Sequence, residues 1–228
     1  MSDKIVAIVP AAGLGTRLGD ARPKQYLDLN GQPMIHHTLA ALAAVRRIAR
    51  IFAVLAPGDL WWDQFDWRAL NGRVEVLRCG GAQRGETVLN ALGALGAALA
   101  PQDWVLVHDA ARPCIRRELI DQFLDELESD AVGGLLALPV SDTLKSANES
   151  QRVDRTVPRE RLWRAQTPQM FRAGLLRSAM QARPDATDEA QAIEALGHAP
   201  KLVAGDSANL KVTYASDLKL ADILLKGV

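Results

Sequence analysis

The sequence has few of the features that mark secreted or membrane proteins. Only two cysteines occur in 228 residues, Cys79 and Cys114, which is too few for a disulfide framework. No apolar run approaches the ~20 residues that span a bilayer. The N-terminus has neither a basic region before a long apolar core nor a cleavage site. These absences predict a cytoplasmic protein with no membrane role.

An excess of charge of one sign is also lacking. The 27 Lys and Arg residues balance the 27 Asp and Glu residues, so the composition does not favour nucleic acid as a partner. Aromatic residues cluster at Trp61, Trp62, Phe65 and Trp67, but no cations are interleaved with them. We therefore interpret this group as packing in a helix or loop and not as a base-stacking platform. Any anion binding must come from local basic clusters.

What the sequence does contain is an alternation of short apolar runs and amphipathic helical patterns. Strands are predicted at 5–9, 51–55, 74–77, 104–107 and 134–138, and helices at 33–45, 88–99 and 119–127. This order predicts an α/β fold: one Rossmann-like, doubly wound domain over residues 1–228, with a mostly parallel sheet. Ligands of such folds bind beyond the carboxyl ends of the strands.

Residues 139–160 interrupt this alternation. A polar stretch at Ser146 to Ser150 separates two short segments, the second of which runs from Val153 to Val157. The pattern predicts a β-hairpin arm that projects from the sheet. Because an isolated two-stranded ribbon is only marginally stable in water, we expect the arm to pack against something.

Small residues and glycines follow the first predicted strand, at Ala11, Ala12, Gly13 and Gly15. Such residues let backbone N–H groups approach a phosphate, and Arg17 and Lys24 add two cations that could neutralise a triphosphate. The segment is not a Walker loop, and Leu18 stands where the dinucleotide fingerprint needs its third glycine. A tight turn between a strand and a helix is the alternative interpretation.

A second glycine-rich turn, from Gly80 to Thr87, lies between a predicted strand and a predicted helix. Its backbone at Gly81 could approach a pyrimidine ring, and the Thr87 hydroxyl could hydrogen-bond to one. The glycines are equally explained by the N-terminal turn of the helix alone.

Asp109 and Arg112 follow the strand predicted at 104–107. An aspartate at a strand end can supply the single carboxylate that Mg²⁺ needs beside phosphate oxygens and water, and an arginine can bind a phosphate through two hydrogen bonds. The alternative is that Asp109 caps the next turn. We interpret His108 as a neutral imidazole in the core.

The last third of the sequence adds three candidates. Thr167 lies in the stretch 163–169, which we expect to be irregular. Thr187 opens a helix that runs through Ala195, and its acidic first turn is ordinary N-cap chemistry. Lys211 alternates with apolar neighbours in an expected short strand, where it points toward solvent or a cleft.

These motifs resemble those of a known enzyme family. The segment from Ala11 to Arg17, together with Pro23-Lys24-Gln25-Tyr26, looks like the signature of nucleotidyltransferases that activate sugar and polyol phosphates. Within that group, the segment from Val107 to Pro113 resembles the second motif of the 2-C-methyl-D-erythritol 4-phosphate cytidylyltransferase family, of the non-mevalonate isoprenoid pathway. Further matches extend to the segment 209–213, so the resemblance covers nearly the whole chain.

The resemblance implies a reaction, a cofactor and an assembly. CMP would pass from CTP to a polyol phosphate with Mg²⁺, in a homodimer formed through the 139–160 arm, from which Arg159 reaches the partner's substrate. The implied catalytic residues are Arg17, Lys24, Arg159 and Lys211. The implied nucleotide-binding residues are Ala11, Ala12, Gly13, Gly15, Gly81, Thr87, Ala110 and Thr167. The implied substrate-binding residues are Asp109, Arg112, Arg159, Thr187 and Lys211, with Asp109 also assigned to the metal.

Two alternatives stay open at the level of sequence. A cytidylyltransferase for another polyol phosphate, such as ribitol 5-phosphate, would carry the same motifs. A nucleotide-binding protein without catalysis would keep the fold but would not need Arg17, Lys24, Arg159 and Lys211 together.

Overall fold

The computed structural model describes residues 3–13, 22–70 and 72–227. The strands are β1 (Ile5–Pro10), β2 (Asp28–Leu29), β3 (Gln32–Pro33), β4 (Ile48–Val54), β5 (Val74–Leu77), β6 (Trp104–Val107), β7 (Gly133–Pro139), β8 (Leu144–Ala147), β9 (Val153–Val157), β10 (Trp163–Arg172) and β11 (Lys201–Ala204). The helices are α1 (Met34–Ala44), α2 (Arg84–Leu95), α3 (Arg117–Leu127), α4 (Ala173–Ala182), α5 (Glu189–Ala195) and α6 (Ala215–Lys226).

A seven-stranded sheet organises the fold, in the order β11-β7-β10-β6-β1-β4-β5. The pairs β1–β4, β1–β6, β4–β5 and β7–β11 are parallel, whereas β10 runs antiparallel to both of its neighbours. The predicted α/β class with a mostly parallel sheet is thereby confirmed. The extent of the domain, residues 1–228, stays a prediction.

Helices cover both faces of this sheet, and β1 shows why its sequence is apolar throughout. Ala7 and Val9 pack in a core with α1 and α3, while Val6 and Ile8 pack in a second core with α2, α4 and α5. A strand that is buried on both faces cannot alternate with polar residues. Because its neighbours β4 and β6 run parallel to it, their carboxyl ends meet at one edge of the sheet.

Several predicted elements are observed with different limits. The strand predicted at 51–55 begins at Ile48, and the helix predicted at 88–99 begins at Arg84 and gives way to a 3-10 turn at Gly96. The apolar stripe used for the prediction starts at Val88 because it marks only the buried face. The first turn of α2 is polar and faces the site described below.

The expectation of an irregular stretch at 163–169 is wrong, because these residues belong to β10. This strand pairs with β7 from Trp163 to Ala165 and again from Gln169, with a shift of register between the two segments. The polar residues that disguise the strand in the sequence lie at this irregularity. Pro168, which has no backbone N–H to donate to a neighbouring strand, lies at the same irregularity.

The predicted hairpin arm is observed as a separate two-stranded sheet of β8 and β9. Its strands are largely exposed, and Val153 retains 66% of its accessible surface. Within the described ranges, the arm pairs with no strand of the central sheet. Its packing against another surface stays a prediction.

The aromatic group and the helices answer two further expectations. The rings of Trp62 and Trp67 stack with their centroids 3.9 Å apart, and Phe65 stacks on Tyr26, so the interpretation as packing is confirmed. In the described ranges, none of the helices combines the length and the apolar character that crossing a bilayer requires.

Candidate active site

A cavity with about 610 Å³ of empty space, part of it open to solvent, lies at the carboxyl ends of β1, β5 and β6. It brings together nine of the residues singled out from the sequence, which come from five separate stretches of the described chain. They are Ala11, Ala12, Gly13, Lys24, Gly81, Thr87, Asp109, Ala110 and Lys211. The two glycine-rich turns and the strand-end aspartate therefore form one site, as their placement after parallel strands predicts.

Gly80 holds the two glycine-rich turns against each other. A Cβ at this position would overlap the Cβ of Ala12 and lie 2.8 Å from the carbonyl oxygen of Leu55. The Gly80 amide donates to that same carbonyl at 2.8 Å, and the Ala11 amide donates to the carbonyl of Val54 at 2.8 Å. The amide of Ala11 is thus committed to the sheet, and only a glycine allows the close approach at residue 80.

The Thr87 hydroxyl is already engaged inside the second turn. It donates to the carbonyl oxygen of Gln83 at 3.0 Å and accepts from the Gly81 amide at 3.0 Å. A hydroxyl oxygen has two lone pairs and one proton, so one lone pair is left for a ligand. In this arrangement Thr87 can accept a hydrogen bond from a ligand but has no proton to donate.

A network of charged side chains around Asp109 forms one wall of the cavity. Its Oδ1 accepts from Nε of Arg84 at 2.8 Å, and its Oδ2 lies 2.8 Å from Nζ of Lys211 and 3.6 Å from Nε of Arg112. Arg84 also donates to both oxygens of Glu189, at 2.7 and 3.0 Å. Three cations and two carboxylates therefore share this wall.

The charges of the network fix the ionisation of Asp109. Burial alone would raise the pKa of its carboxyl, but the nearby Arg84, Lys211 and Arg112 hold that pKa well below the usual range. Burial opposes the charge of Arg84 as well, and Glu189 and Asp109 overcome it to raise the pKa of the guanidinium. Asp109 is therefore a carboxylate at neutral pH.

His108 lies behind this wall and is buried completely. Burial lowers its pKa to about 4, so the imidazole is neutral at pH 7, and the expectation of a neutral core histidine is confirmed. Its Nδ1 lies 3.0 Å from the Thr167 hydroxyl oxygen, which accepts from the Asp109 amide at 3.0 Å. Thr167 thus contacts the backbone that carries Asp109.

A second, smaller and more polar cavity, with about 420 Å³ of empty space, adjoins the first. Three residues predicted from the sequence line it without lining the larger cavity: Arg112, Thr167 and Thr187. Both cavities are lined by Arg84, Asp109 and Lys211, which therefore form the wall between them. The site consists of two adjoining compartments that share a charged partition.

The N-cap of α5 is Asp188 and not Thr187. The Asp188 carboxylate accepts from the Gln191 amide at 2.9 Å, whereas Thr187 is exposed and uses its backbone amide to reach the side chain of Gln191. The hydroxyl of Thr187 makes no hydrogen bond to another described residue. Since the capping role falls to its neighbour, this hydroxyl is available to a ligand.

Lys211 does not lie on a strand, contrary to expectation. It belongs to an irregular segment between β11 and α6, so alternation along a strand does not explain its direction. The segment is held by the Val212 amide, which donates to Ala111 at 2.8 Å, and by Arg112, which donates to the carbonyl of Asn209 at 2.7 Å. Lys24 reaches the same segment, 3.3 Å from the Val212 carbonyl oxygen.

One predicted residue, Arg159, lies away from both cavities, and two others fall outside the described residues. Arg159 lies exposed at the base of the arm, where it donates to the carbonyl of Ser141, and it lines neither cavity. Gly15 and Arg17 fall in 14–21, outside the described residues.

Arg84 and Glu189 are site residues that the sequence reasoning missed. Each is the first residue of its helix, α2 or α5, and they are 105 positions apart. The sequence contains a weak signal for Arg84, since it follows a glycine-rich turn as Arg17 does. Glu189 reads as an ordinary acidic residue of a first helical turn.

Comparison with known proteins agrees with this architecture. The model of the IspD family, 2-C-methyl-D-erythritol 4-phosphate cytidylyltransferase, matches residues 5–227. The chain is 59% identical over 221 residues to 2-C-methyl-D-erythritol 4-phosphate cytidylyltransferase of Dechloromonas aromatica, with 97% of each covered. It is 56% identical over 225 residues to that of Nitrosospira multiformis, with the same coverage of 97%. A crystal structure of 4-diphosphocytidyl-2C-methyl-D-erythritol synthase superposes with a TM-score of 0.87 at 37% identity, over 99% of this chain and 100% of that one. By the extent of these matches, the chain belongs to the 2-C-methyl-D-erythritol 4-phosphate cytidylyltransferase family.

Proposed function

We propose that this protein transfers CMP from CTP to 2-C-methyl-D-erythritol 4-phosphate, with release of pyrophosphate and 4-diphosphocytidyl-2-C-methyl-D-erythritol. The observation that carries the proposal is the pair of adjoining cavities with a shared wall of Arg84, Asp109 and Lys211. Two anionic substrates that react with each other need two compartments with cations at their junction.

The larger cavity is the proposed nucleotide site. The remaining lone pair of Thr87 can accept a hydrogen bond from the amino group of cytosine. It does not suit the keto oxygen of uracil, which is itself an acceptor and needs a donor. Ala12, Gly13 and Lys24 are proposed to contact the triphosphate. Arg17 is assigned to the same task on the sequence motif alone.

The smaller cavity is the proposed site of the acceptor phosphate. Arg112 is almost fully buried, and its Nε has no hydrogen-bond partner among the described residues, although Asp109 lies 3.6 Å away. A buried donor without a partner is costly, and a phosphate oxygen would satisfy it. The Thr187 hydroxyl and Lys211 provide further donors.

Alignment and charge neutralisation supply the proposed catalysis. The acceptor phosphate is ionised at pH 7, so one of its oxygens can attack the α-phosphorus of CTP without a general base, and the bond to the leaving pyrophosphate breaks. His108 does not serve as a base, because it is buried behind Asp109 and occupied by Thr167. Lys24, Arg17 and Lys211 are proposed to stabilise the charge that develops during transfer.

A requirement for Mg²⁺ is part of the proposal. Asp109 is the acidic residue that lines the larger cavity, and one carboxylate suffices when phosphates and water supply the other ligands. Its two oxygens contact Arg84 and Lys211, so a bound ion would share one of these oxygens or compete with Lys211 for it. When bound, Mg²⁺ would neutralise part of the triphosphate charge. If Asp109 is a ligand, Asp109→Asn should raise the Mg²⁺ concentration needed for half-maximal rate.

A cytoplasmic homodimer is the proposed form of the protein. The arm is exposed and pairs only with itself within the described chain, and Arg159 lies at its base, away from both cavities. Arg159 would then complete the acceptor site of the partner. Sedimentation of the protein and of a deletion of residues 146–150 tests the assembly, since loss of the tip should favour the monomer.

Pyrophosphate release in the presence of CTP and Mg²⁺ tests the reaction itself. Release with 2-C-methyl-D-erythritol 4-phosphate, and not with ribitol 5-phosphate, is the expected result. Release with ribitol 5-phosphate alone would contradict the proposed acceptor. Binding of CTP without release for any acceptor would contradict catalysis.

A further inference from the structure

A buried ion network connects three elements at the wall between the two cavities. Arg84, the first residue of α2, donates from Nε to Oδ1 of Asp109 at 2.8 Å. Its Nη1 and Nη2 donate to the two oxygens of Glu189 at 2.7 and 3.0 Å. Glu189, the first residue of α5, has no accessible surface. One guanidinium therefore ties the ends of β6, α2 and α5 together.

Arg84 is poorly suited to bind a phosphate directly, although it lines both cavities. Glu189 neutralises its charge, and Nε and both terminal nitrogens already donate to carboxylates. Three of the five N–H donors of Arg84 are thereby engaged and its charge is neutralised, so its contribution to the site passes mainly through Asp109. Lys211 is better suited than Arg84 to contact a phosphate, because its side chain is 44% exposed and its ion pair is with Asp109.

The planar guanidinium fixes the direction of the Asp109 carboxylate. With Oδ1 held by Arg84, Oδ2 points to Nζ of Lys211 at 2.8 Å. An arginine imposes such geometry because its donors form a rigid fork, whereas a lysine ammonium acts as a point charge. Glu189 in turn holds the fork through two hydrogen bonds from the far side.

We propose that Arg84 and Glu189 are a positioning pair that sets the Asp109 carboxylate and, through it, Lys211 at the junction of the two cavities. Neither residue needs to touch a substrate for this role. The inference rests on the proposed function, since it is the acceptor phosphate that Lys211 would meet there. It assigns to the pair a place in acceptor alignment and not in CTP binding.

Steady-state kinetics of Glu189→Gln and Arg84→Lys test the pair. Each variant should raise KM for 2-C-methyl-D-erythritol 4-phosphate and lower kcat, with a combined loss in kcat/KM of about tenfold or more, because small displacements of aligned groups slow transfer strongly. KM for CTP should stay within about twofold of the wild-type value. A merely structural role would instead lower the amount of folded enzyme and leave both KM values of the folded fraction unchanged.

A double variant and a distant pair serve as controls. Arg84→Gln with Glu189→Gln removes both charges together, so it avoids the unpaired buried charge that could prevent folding of a single variant. Its acceptor KM should still rise, since the tie to Asp109 is weakened. Arg50 and Glu75 form another doubly hydrogen-bonded pair, at 2.8 and 2.7 Å, on strands β4 and β5. Arg50→Lys and Glu75→Gln should leave both KM values unchanged.

Three results would overturn the inference while leaving the proposed function intact. They are a wild-type acceptor KM in the folded double variant, a wild-type acceptor KM in Arg84→Lys, and an equal rise of both KM values in Glu189→Gln. Failure of the wild-type protein to release pyrophosphate with any acceptor would instead contradict the proposed function itself.

Discussion

The two cavities of the site are built by different means. The larger one is shaped mainly by backbone and small side chains, with Ala12 and Gly80 in contact and Thr87 engaged inside its own turn. The smaller one is lined mainly by polar and charged groups, several of which are buried, among them Arg112 and Asp109. Steric fit dominates the first cavity and electrostatics the second.

This difference teaches how the two substrates would be distinguished. A planar base is recognised by shape and by a few directed hydrogen bonds, so a rigid backbone suits it. A small anion is recognised by charge, and fixed, buried cations bind it more strongly than mobile surface ones. The partition of Arg84, Asp109 and Lys211 belongs to both cavities and is the place where the two modes meet.

Loss of Lys24 should have the largest effect, because this cation lines the nucleotide cavity and is proposed to stabilise the charge that develops during transfer. We expect Lys24→Ala to lower turnover on the order of 10²-fold, as for other preorganised charges that stabilise a transition state. Pyrophosphate release at saturating CTP and acceptor measures the effect.

Two variants sharpen this prediction. Lys24→Arg keeps the charge and should retain more activity than Lys24→Ala. Lys226 pairs with Asp222 on the surface of α6, away from the site, and Lys226→Ala should not change turnover. Near wild-type turnover in a folded Lys24→Ala would show that transfer from a nucleotide in the larger cavity does not require this cation.

Gly80→Ala should have the next largest effect, because it disturbs the packing that shapes the larger cavity. The added Cβ meets Ala12 and the carbonyl of Leu55, so backbone must move, and overpacking of this kind costs about 1–3 kcal/mol in the free energy of unfolding. CTP affinity should fall with it. Urea unfolding and calorimetric titration with CTP measure the two effects.

The matched control is Gly93→Ala in α2. Gly93 has open space around its Cβ position, and alanine favours a helix over glycine by up to about 1 kcal/mol. This variant should be as stable as the wild type or more so. Equal stability of Gly80→Ala would mean that the turns can separate at no cost.

His108, which lies behind the wall between the two cavities, makes the stability of the protein depend on pH. Its pKa in the folded protein is about 4, below the ~6.5 of an unfolded histidine. Between these values the unfolded chain binds more protons, so stability is complete above pH ~6.5 and falls as the pH drops toward 4. At pH 5 the loss attributable to this residue is about 2 kcal/mol.

Urea unfolding of wild type and His108→Gln at pH 7 and pH 5 checks the sign. The difference in the free energy of unfolding between pH 7 and pH 5 should be smaller in His108→Gln than in the wild type by about 2 kcal/mol. His36, whose pKa burial also lowers, contributes to the slope of both proteins and cancels in the comparison. An unchanged slope in His108→Gln would mean that the buried imidazole does not carry the effect.

The sequence predicts the framework of this molecule better than the wall between its cavities. Strand β6 is observed at its predicted limits because burial on both faces of the sheet requires a continuous apolar run. Strand β10 was missed because its polar residues lie at a break in register. Glu189 could not be found at all, since its importance comes from meeting an arginine 105 positions away.

The smallest expected effect concerns the choice of base at Thr87. With its proton donated to Gln83, this hydroxyl can only accept from a ligand, which favours cytosine over uracil by about one hydrogen bond, or ~1 kcal/mol. Thr87→Val keeps the shape and removes the acceptor, so the ratio of kcat/KM for CTP to that for UTP should fall severalfold, close to tenfold at most. Thr87→Ser keeps the hydroxyl and should preserve the ratio. Equal losses for both nucleotides in Thr87→Val would mean that the hydroxyl only shapes the turn, and that even base selection rests on steric fit.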